Sequence, residues 1–122
     1  MEKYIIIAFG GAIGAVARVA LGEALSKWDA LPYGTMAVNI IGCLLIGLIA
    51  GLYMAHLEWP QWGKYLLIAG GLGAFTTFST FILDLLELMT TASLLDSLIY
   101  SGLQIGVGLL LCAIGIQIGR LL

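Results

Sequence analysis

Charge is what this chain has least of. Of its 122 residues 10% are charged, five Lys or Arg against seven Asp or Glu, for a formal net charge of −2. An ordinary soluble domain carries about 25%. With no basic patch and a pI near 5.0, nucleic acid is excluded as a partner. Histidine and cysteine are nearly as scarce. The single histidine, His56, stands near the end of an apolar segment. The two cysteines, Cys43 and Cys112, lie inside apolar runs and read as small hydrophobes rather than as a disulfide or a metal site. These residues assemble no cluster of ligands or catalytic partners, which argues against an enzyme.

What the chain has instead is apolar length. Hydrophobic residues make up 61% of it and the mean hydropathy is +1.10, more apolar surface than one water-soluble core of this size can hide. The solvent is therefore lipid. Four runs emerge: Tyr4 to Leu25, Tyr33 to Ala55, Tyr65 to Met89 and Leu98 to Leu122. Each can cross a hydrocarbon core of about 30 Å, which takes about 20 helical residues. The pattern predicts an all-α membrane protein, a single four-helix transmembrane domain over residues 1–122. The gaps "SKWDALP", "HLEWPQWGK" and "TTASLLDS" hold the punctuation, and Trp28, Trp59 and Trp62 all fall in them, as amphipathic rings do at a membrane interface. The first run lacks the basic start and small-residue cleavage pattern of a signal peptide and reads as a retained helix.

Orientation in a membrane follows Lys and Arg bias. Lys3, Lys64 and Arg120 belong to one side, Lys27 and Arg18 to the other. Three against two is almost no bias, so the chain can insert either way up. A mixed population allows an antiparallel dimer whose halves are inverted copies. The 17 glycines include four pairs spaced by four, Gly10 and Gly14, Gly47 and Gly51, Gly102 and Gly106, Gly115 and Gly119. Such spacing lets helix backbones approach closely, and plain packing explains most of them.

Polar residues inside the runs are candidates for function, because their desolvation must be compensated. Arg18 shares a helical face with Gly11 and Gly14; it either snorkels to the interface or attracts anions. In "GTMAVNIIG" Thr35 and Asn39 share a face with Gly42, and Asn39 either bonds a neighbouring helix or offers N–H donors to a ligand. Tyr100, Gln104 and Gly108 repeat every four residues, with Ser101 beside them; they form a polar stripe or glue between helices. The most unusual stretch is "GAFTTFSTF", Gly73 to Phe81. Gly70, Gly71 and Gly73 leading into Thr76 and Thr77 disfavour a helix, so a break is predicted at mid-membrane. Non-helical backbone is tolerated there only when buried in protein or lining a cavity. The freed carbonyls suit a small hard cation. Phe78 and Phe81, three apart, present ring edges that are positive and, with the Asn39 amide, suit a dehydrated anion. Phe75 reads as core packing.

Taken together, "GGAIGAVAR", "GTMAVNIIG" and "GGLGAFTTFSTF" give a chain that resembles, over essentially its whole length, the fluoride channels of the CrcB/Fluc family. The resemblance implies a dual-topology, antiparallel homodimer in a bacterial plasma or inner membrane, with two parallel fluoride pathways and passive export that lowers fluoride toxicity. It implies a structural sodium ion at the dimer centre, held by backbone carbonyls that fall here on Gly73 and Thr76. It makes Phe78 and Phe81 the pore phenylalanines, Asn39 a pore-lining donor with Thr35 nearby, Arg18 the basic residue near the vestibule, and Tyr100 the tyrosine of the fourth-helix stripe. Gln104 and Gly108 stand where hydroxyls are expected.

Two rivals share parts of this pattern. A small multidrug exporter also has four short helices, but it needs a proton-exchanging carboxylate deep in the first, where Tyr4 to Ala17 has none. Asp84 and Glu87 read as interfacial. A non-transporting assembly subunit accounts for the glycines and leaves the broken third run without a purpose.

Overall fold

The computed structural model describes residues 1–25 and 31–122; Lys27 and Trp28, read above as a cation of the second side and an interfacial ring, lie outside them. Two uninterrupted apolar runs fold as α1, Glu2–Leu25, and α2, Tyr33–Ala55. The third run is composite. It opens as α3, Gln61–Gly63, continues as a π-helical segment, Lys64–Leu72, and as α4, Gly73–Phe75, and resumes as α5, Phe78–Thr91. The last helix is α6, Leu94–Leu121. Its start is fixed by a capping box. Ser93 Oγ accepts the Asp96 N–H at 3.1 Å while the Ser93 N–H donates to Asp96 Oδ2 at 3.2 Å, which satisfies two of the N–H groups that a helix start leaves over. Among the described residues four helical stretches are long and apolar enough to cross a membrane, the third being Gln61–Thr91 taken whole.

Lipid supplies no hydrophobic drive for helices to associate, so close backbone contact between small residues takes its place. Two glycine seams do this. In the first, a Cβ at Gly10 or Gly14 of α1 would run into the carbonyls of Leu66 and Gly71, and one at Gly70 would stand 2.6 Å from the Ile7 carbonyl. In the second, Gly47 and Gly51 of α2 lie against Cys112 and Ile116, while Gly115 and Gly119 of α6 lie against Leu44 and Leu48. Residue numbers rise together along each seam, so α1 runs parallel to the π-helical segment, and α2 parallel to α6. Gly34 at the start of α2 meets Gly22 near the end of α1, which makes α1 and α2 antiparallel. Lys3, Lys64 and Arg120 therefore share one end of the bundle and Arg18 lies towards the other, as the sequence suggested. Three of the four glycine pairs are packing contacts within the chain. Gly102 and Gly106 have nothing within 4 Å.

The predicted break is present, and it falls on the threonines of that stretch and not on its glycines. Gly70 and Gly71 remain helical inside the π segment, and their smallness serves the contact with α1. Helical geometry fails at Thr76 (φ −80°, ψ 156°) and Thr77 (φ −149°, ψ 113°), extended conformations that β-branched residues favour. The interruption separates two apolar clusters. Val38, Leu72 and Phe75 pack on one side of it, and Phe81, Leu88 and Tyr100 on the other.

The seams predict a contrast. An added methyl at Gly115 would stand 2.7 Å from the Leu48 nitrogen, so Gly115→Ala should destabilise by about 1–3 kcal/mol, the usual cost of overpacking. Gly106→Ala meets open space and should leave stability unchanged or raise it by up to about 1 kcal/mol through helix propensity. Thermal unfolding of the purified variants in one detergent checks both.

Candidate functional site

The polar face of α2 meets the break. Asn39 reaches Thr77 with both ends of its amide, Nδ2 donating to the Thr77 carbonyl at 3.0 Å and Oδ1 accepting the Thr77 N–H at 2.8 Å. One turn on, Gly42 leaves room for the Thr76 methyl. One turn back, Thr35 borders a cavity that Thr77 also lines. The shared face that the sequence placed on Thr35, Asn39 and Gly42 is thus assembled around two residues of the third run. Without Asn39, two main-chain groups would be left buried and unpaired, each costing about 1–3 kcal/mol.

The break redirects hydrogen bonds in a specific way. An uninterrupted helix would give the Thr77 N–H to the Gly73 carbonyl and the Thr80 N–H to the Thr76 carbonyl. Here the first goes to Asn39 Oδ1, and the second goes to the Thr77 hydroxyl at 3.2 Å, which caps α5. The Thr77 hydroxyl in turn donates to Thr80 Oγ1 at 3.0 Å. Thr76 turns its own hydroxyl back to the Leu72 carbonyl at 2.9 Å. The carbonyls of Gly73 and Thr76 are deprived of their helical donors. Two neutral oxygens released at mid-span have the chemistry a small hard cation such as sodium takes, so the donor set fits that ion.

Beyond the break stand the aromatics. Phe78 and Phe81 have ring centroids 5.8 Å apart, tilted by 51°. They are neighbours in different surroundings: Phe81 is 5% exposed and Phe78 74%. The Phe81 ring lies 5.5 Å from that of Tyr100, which is fully buried. The Tyr100 hydroxyl donates to Asp84 Oδ2 at 3.0 Å and accepts from Gln104 Nε2 at 3.1 Å. Tyr100, Gln104 and Gly108 are all buried. Unlike the exposed Glu87, Asp84 is half-buried and anchored by a phenol. Its signal was in the spacing. Asp84 lies eight residues before Ala92, where α5 ends, and Tyr100 eight after it, so antiparallel helices bring the two level.

Arg18 borders a cavity of about 460 Å³ with Val38, Thr35, Thr77, Ser79 and Thr80. One guanidinium and four hydroxyls make a donor-rich wall that ends at the break and suits an anion. Ser79 and Thr80 were not singled out as site residues from sequence; their membership follows from the extended Thr76–Thr77 pair, which turns the first residues of α5 towards this space.

The family model described as CrcB-like protein, Camphor Resistance (CrcB), matches residues 5–116. The chain is 42% identical over 118 residues to a protein of Magnetococcus marinus, covering 95% of this chain and 96% of that one. It is 38% identical over 120 residues to one of Nitrobacter winogradskyi, covering 95% and 94%. To one of Rhizobium johnstonii it is 37% identical over 124 residues, covering 100% and 99%. All three relatives bear the name fluoride-specific ion channel FluC.

The Tyr100 network predicts its own test. Tyr100→Phe removes the donor to a half-buried carboxylate and should cost about 1–3 kcal/mol. Adding Asp84→Asn, which exchanges the carboxyl left without its phenol for an amide, should recover part of that loss. The order of the three thermal midpoints decides: a double variant no more stable than Tyr100→Phe would rule out the carboxylate as the phenol's partner.

Proposed function

The chain belongs to the CrcB family, and from that premise we propose that it is a multi-pass membrane channel, not an enzyme, that passes fluoride selectively and passively. The observation that supports the reading most directly is the interrupted third crossing, with released carbonyls on one side of it and paired phenylalanines on the other. Fluoride is small and strongly hydrated, so a pathway must replace its water with donors that do not trap it. Ring edges carry a partial positive charge and an amide N–H carries a dipole; neither binds as tightly as a full cation. Asn39 uses one Nδ2 hydrogen on Thr77, and an amide nitrogen carries two, so one remains for an anion. Arg18 and the hydroxyls of its cavity would concentrate anions at the entrance, Phe78 and Phe81 would guide them past the break, and Tyr100 would line the way beyond, with Thr35 at the near side.

Direction comes from the membrane potential. Neutral hydrogen fluoride crosses bilayers and ionises in a near-neutral interior, where the anion is trapped. A negative interior then drives fluoride out through any open path, worth about 2.3 kcal/mol per 100 mV. No coupling step is required. We extend the reading to an antiparallel homodimer with two pathways, supported by the nearly balanced Lys and Arg distribution. We extend it also to a structural sodium ion shared by the Gly73 and Thr76 carbonyls of both chains. When bound, that ion supplies a fixed positive charge beside the anion path; the chain's own part is to hold the carbonyls out of helical hydrogen bonds.

Efflux from liposomes containing the purified protein tests the function. Fluoride should leave at least a hundredfold faster than chloride, and equal rates would overturn selectivity. Phe78→Ile, Phe81→Ile and Asn39→Asp should each slow fluoride efflux tenfold or more while the protein still assembles. Undiminished flux in all three would remove these residues from the pathway.

A further inference from the structure

We infer that Asn39 is the positioning residue of the break: by taking the Thr77 N–H it keeps the Gly73 carbonyl from closing a helical turn and so leaves that oxygen free for a cation. The inference deepens the proposed function and rests on its cation site. Two acceptors compete for one donor. Asn39 Oδ1 holds the Thr77 N–H at 2.8 Å, and Nδ2 holds the Thr77 carbonyl at 3.0 Å, so the whole peptide edge of Thr77 is paired with a side chain of another helix, as strand partners pair. The Gly73 carbonyl is the acceptor displaced. With Asn39 gone, the Thr77 N–H is left in a low-dielectric interior, and the partner within reach is the carbonyl four residues back. The turn would close, Thr77 would become helical and Gly73 would withdraw its oxygen. Asn39 then acts on the cation without touching it, in addition to any contact with the anion.

A carboxylic acid at this position makes the idea testable by pH. Protonated, the side chain of Asn39→Asp still accepts the Thr77 N–H and donates its O–H to the Thr77 carbonyl. Ionised, it accepts only, and sets a negative oxygen against that carbonyl. Arg18 is the charged residue lining the cavity beside Thr77, and the unaltered chain carried through the same pH range subtracts the response of every group other than position 39. The experiment follows Thr77 Cα and Cβ chemical shifts in threonine-labelled full-length protein, together with the rise in thermal midpoint when sodium chloride replaces N-methylglucamine chloride. The unaltered chain should show an extended Thr77 and a sodium response at every pH between 5 and 8. Asn39→Leu should show a helical Thr77 and no sodium response at any pH. Asn39→Asp should show the unaltered pattern at pH 5 and the Leu pattern at pH 8.

If Asn39→Leu keeps both an extended Thr77 and the sodium response, the inference is wrong. If Asn39→Leu does not fold, the Asp variant decides alone, and a pH-independent result for it overturns the inference. Fluoride efflux by the unaltered chain is measured separately, so loss of the positioning role and loss of the channel function give different results.

Discussion

In hydrocarbon, a main-chain N–H or carbonyl without a partner costs several kcal/mol, and the third crossing of this chain is arranged around that constraint. Two residues leave the helix, and the hydrogen bonds nearest the break are remade. The Thr77 N–H and carbonyl are taken by Asn39, the Thr80 N–H by the Thr77 hydroxyl, and the Thr76 N–H stays on the Leu72 carbonyl. Among the carbonyls that lose their helical donors are those of Gly73 and Thr76. The proposed cation would take these two oxygens.

The glycine seams hold this arrangement in place. Because α1 presses on the π-helical segment and α2 on α6 at backbone distance, the break cannot be relieved by sliding one helix along another. The π segment contributes to the same end. Each residue in it advances the chain less than in an α-helix, since the hydrogen bond reaches one residue further. That shortening sets the level at which Thr76 and Thr77 meet Asn39. Phe75 and Phe81 then fall into separate apolar clusters, so each half of the third crossing has its own anchor and the two extended residues between them are held at both ends.

Much of this was legible in the residues. The four runs appear within about one helical turn of their observed limits, because hydropathy alone sets them. That the third run is interrupted was also legible, from glycines and β-branched residues in an apolar segment. Within that stretch the interruption falls on the β-branched pair, Thr76 and Thr77, and not on the glycines before it. Glycine lowers helix propensity in water, but at Gly70 and Gly71 close packing against α1 outweighs propensity. The π-helical turn has no sequence period that distinguishes it from an α-helical one. Asn39 stands out as a polar residue inside an apolar run, yet its partner lies 38 residues away, and no local pattern names it. The phenol that anchors Asp84 lies 16 residues on and meets it only when the α5–α6 hairpin brings the two level.

The distribution of full and partial charge along the candidate path follows one rule. Arg18 lines the cavity beside Thr77 and would stand at the entrance of the proposed path, where attraction need only raise the local anion concentration. Next to the break the groups are an amide, hydroxyls and ring edges, whose dipoles offer attraction without a full counter-charge. A cation side chain at that depth would hold a small anion with little screening, and a bound ion that does not leave blocks a pore as surely as a clash. Conduction requires binding strong enough to admit the ion and weak enough to release it. A fixed positive charge on the Gly73 and Thr76 oxygens would add to the field while its first shell is filled by backbone, so it could attract a passing anion without bonding to it. That division of labour, with the strong charge screened by its own ligands and the weak dipoles in contact with the moving ion, gives the break a reason to be made of threonine and asparagine.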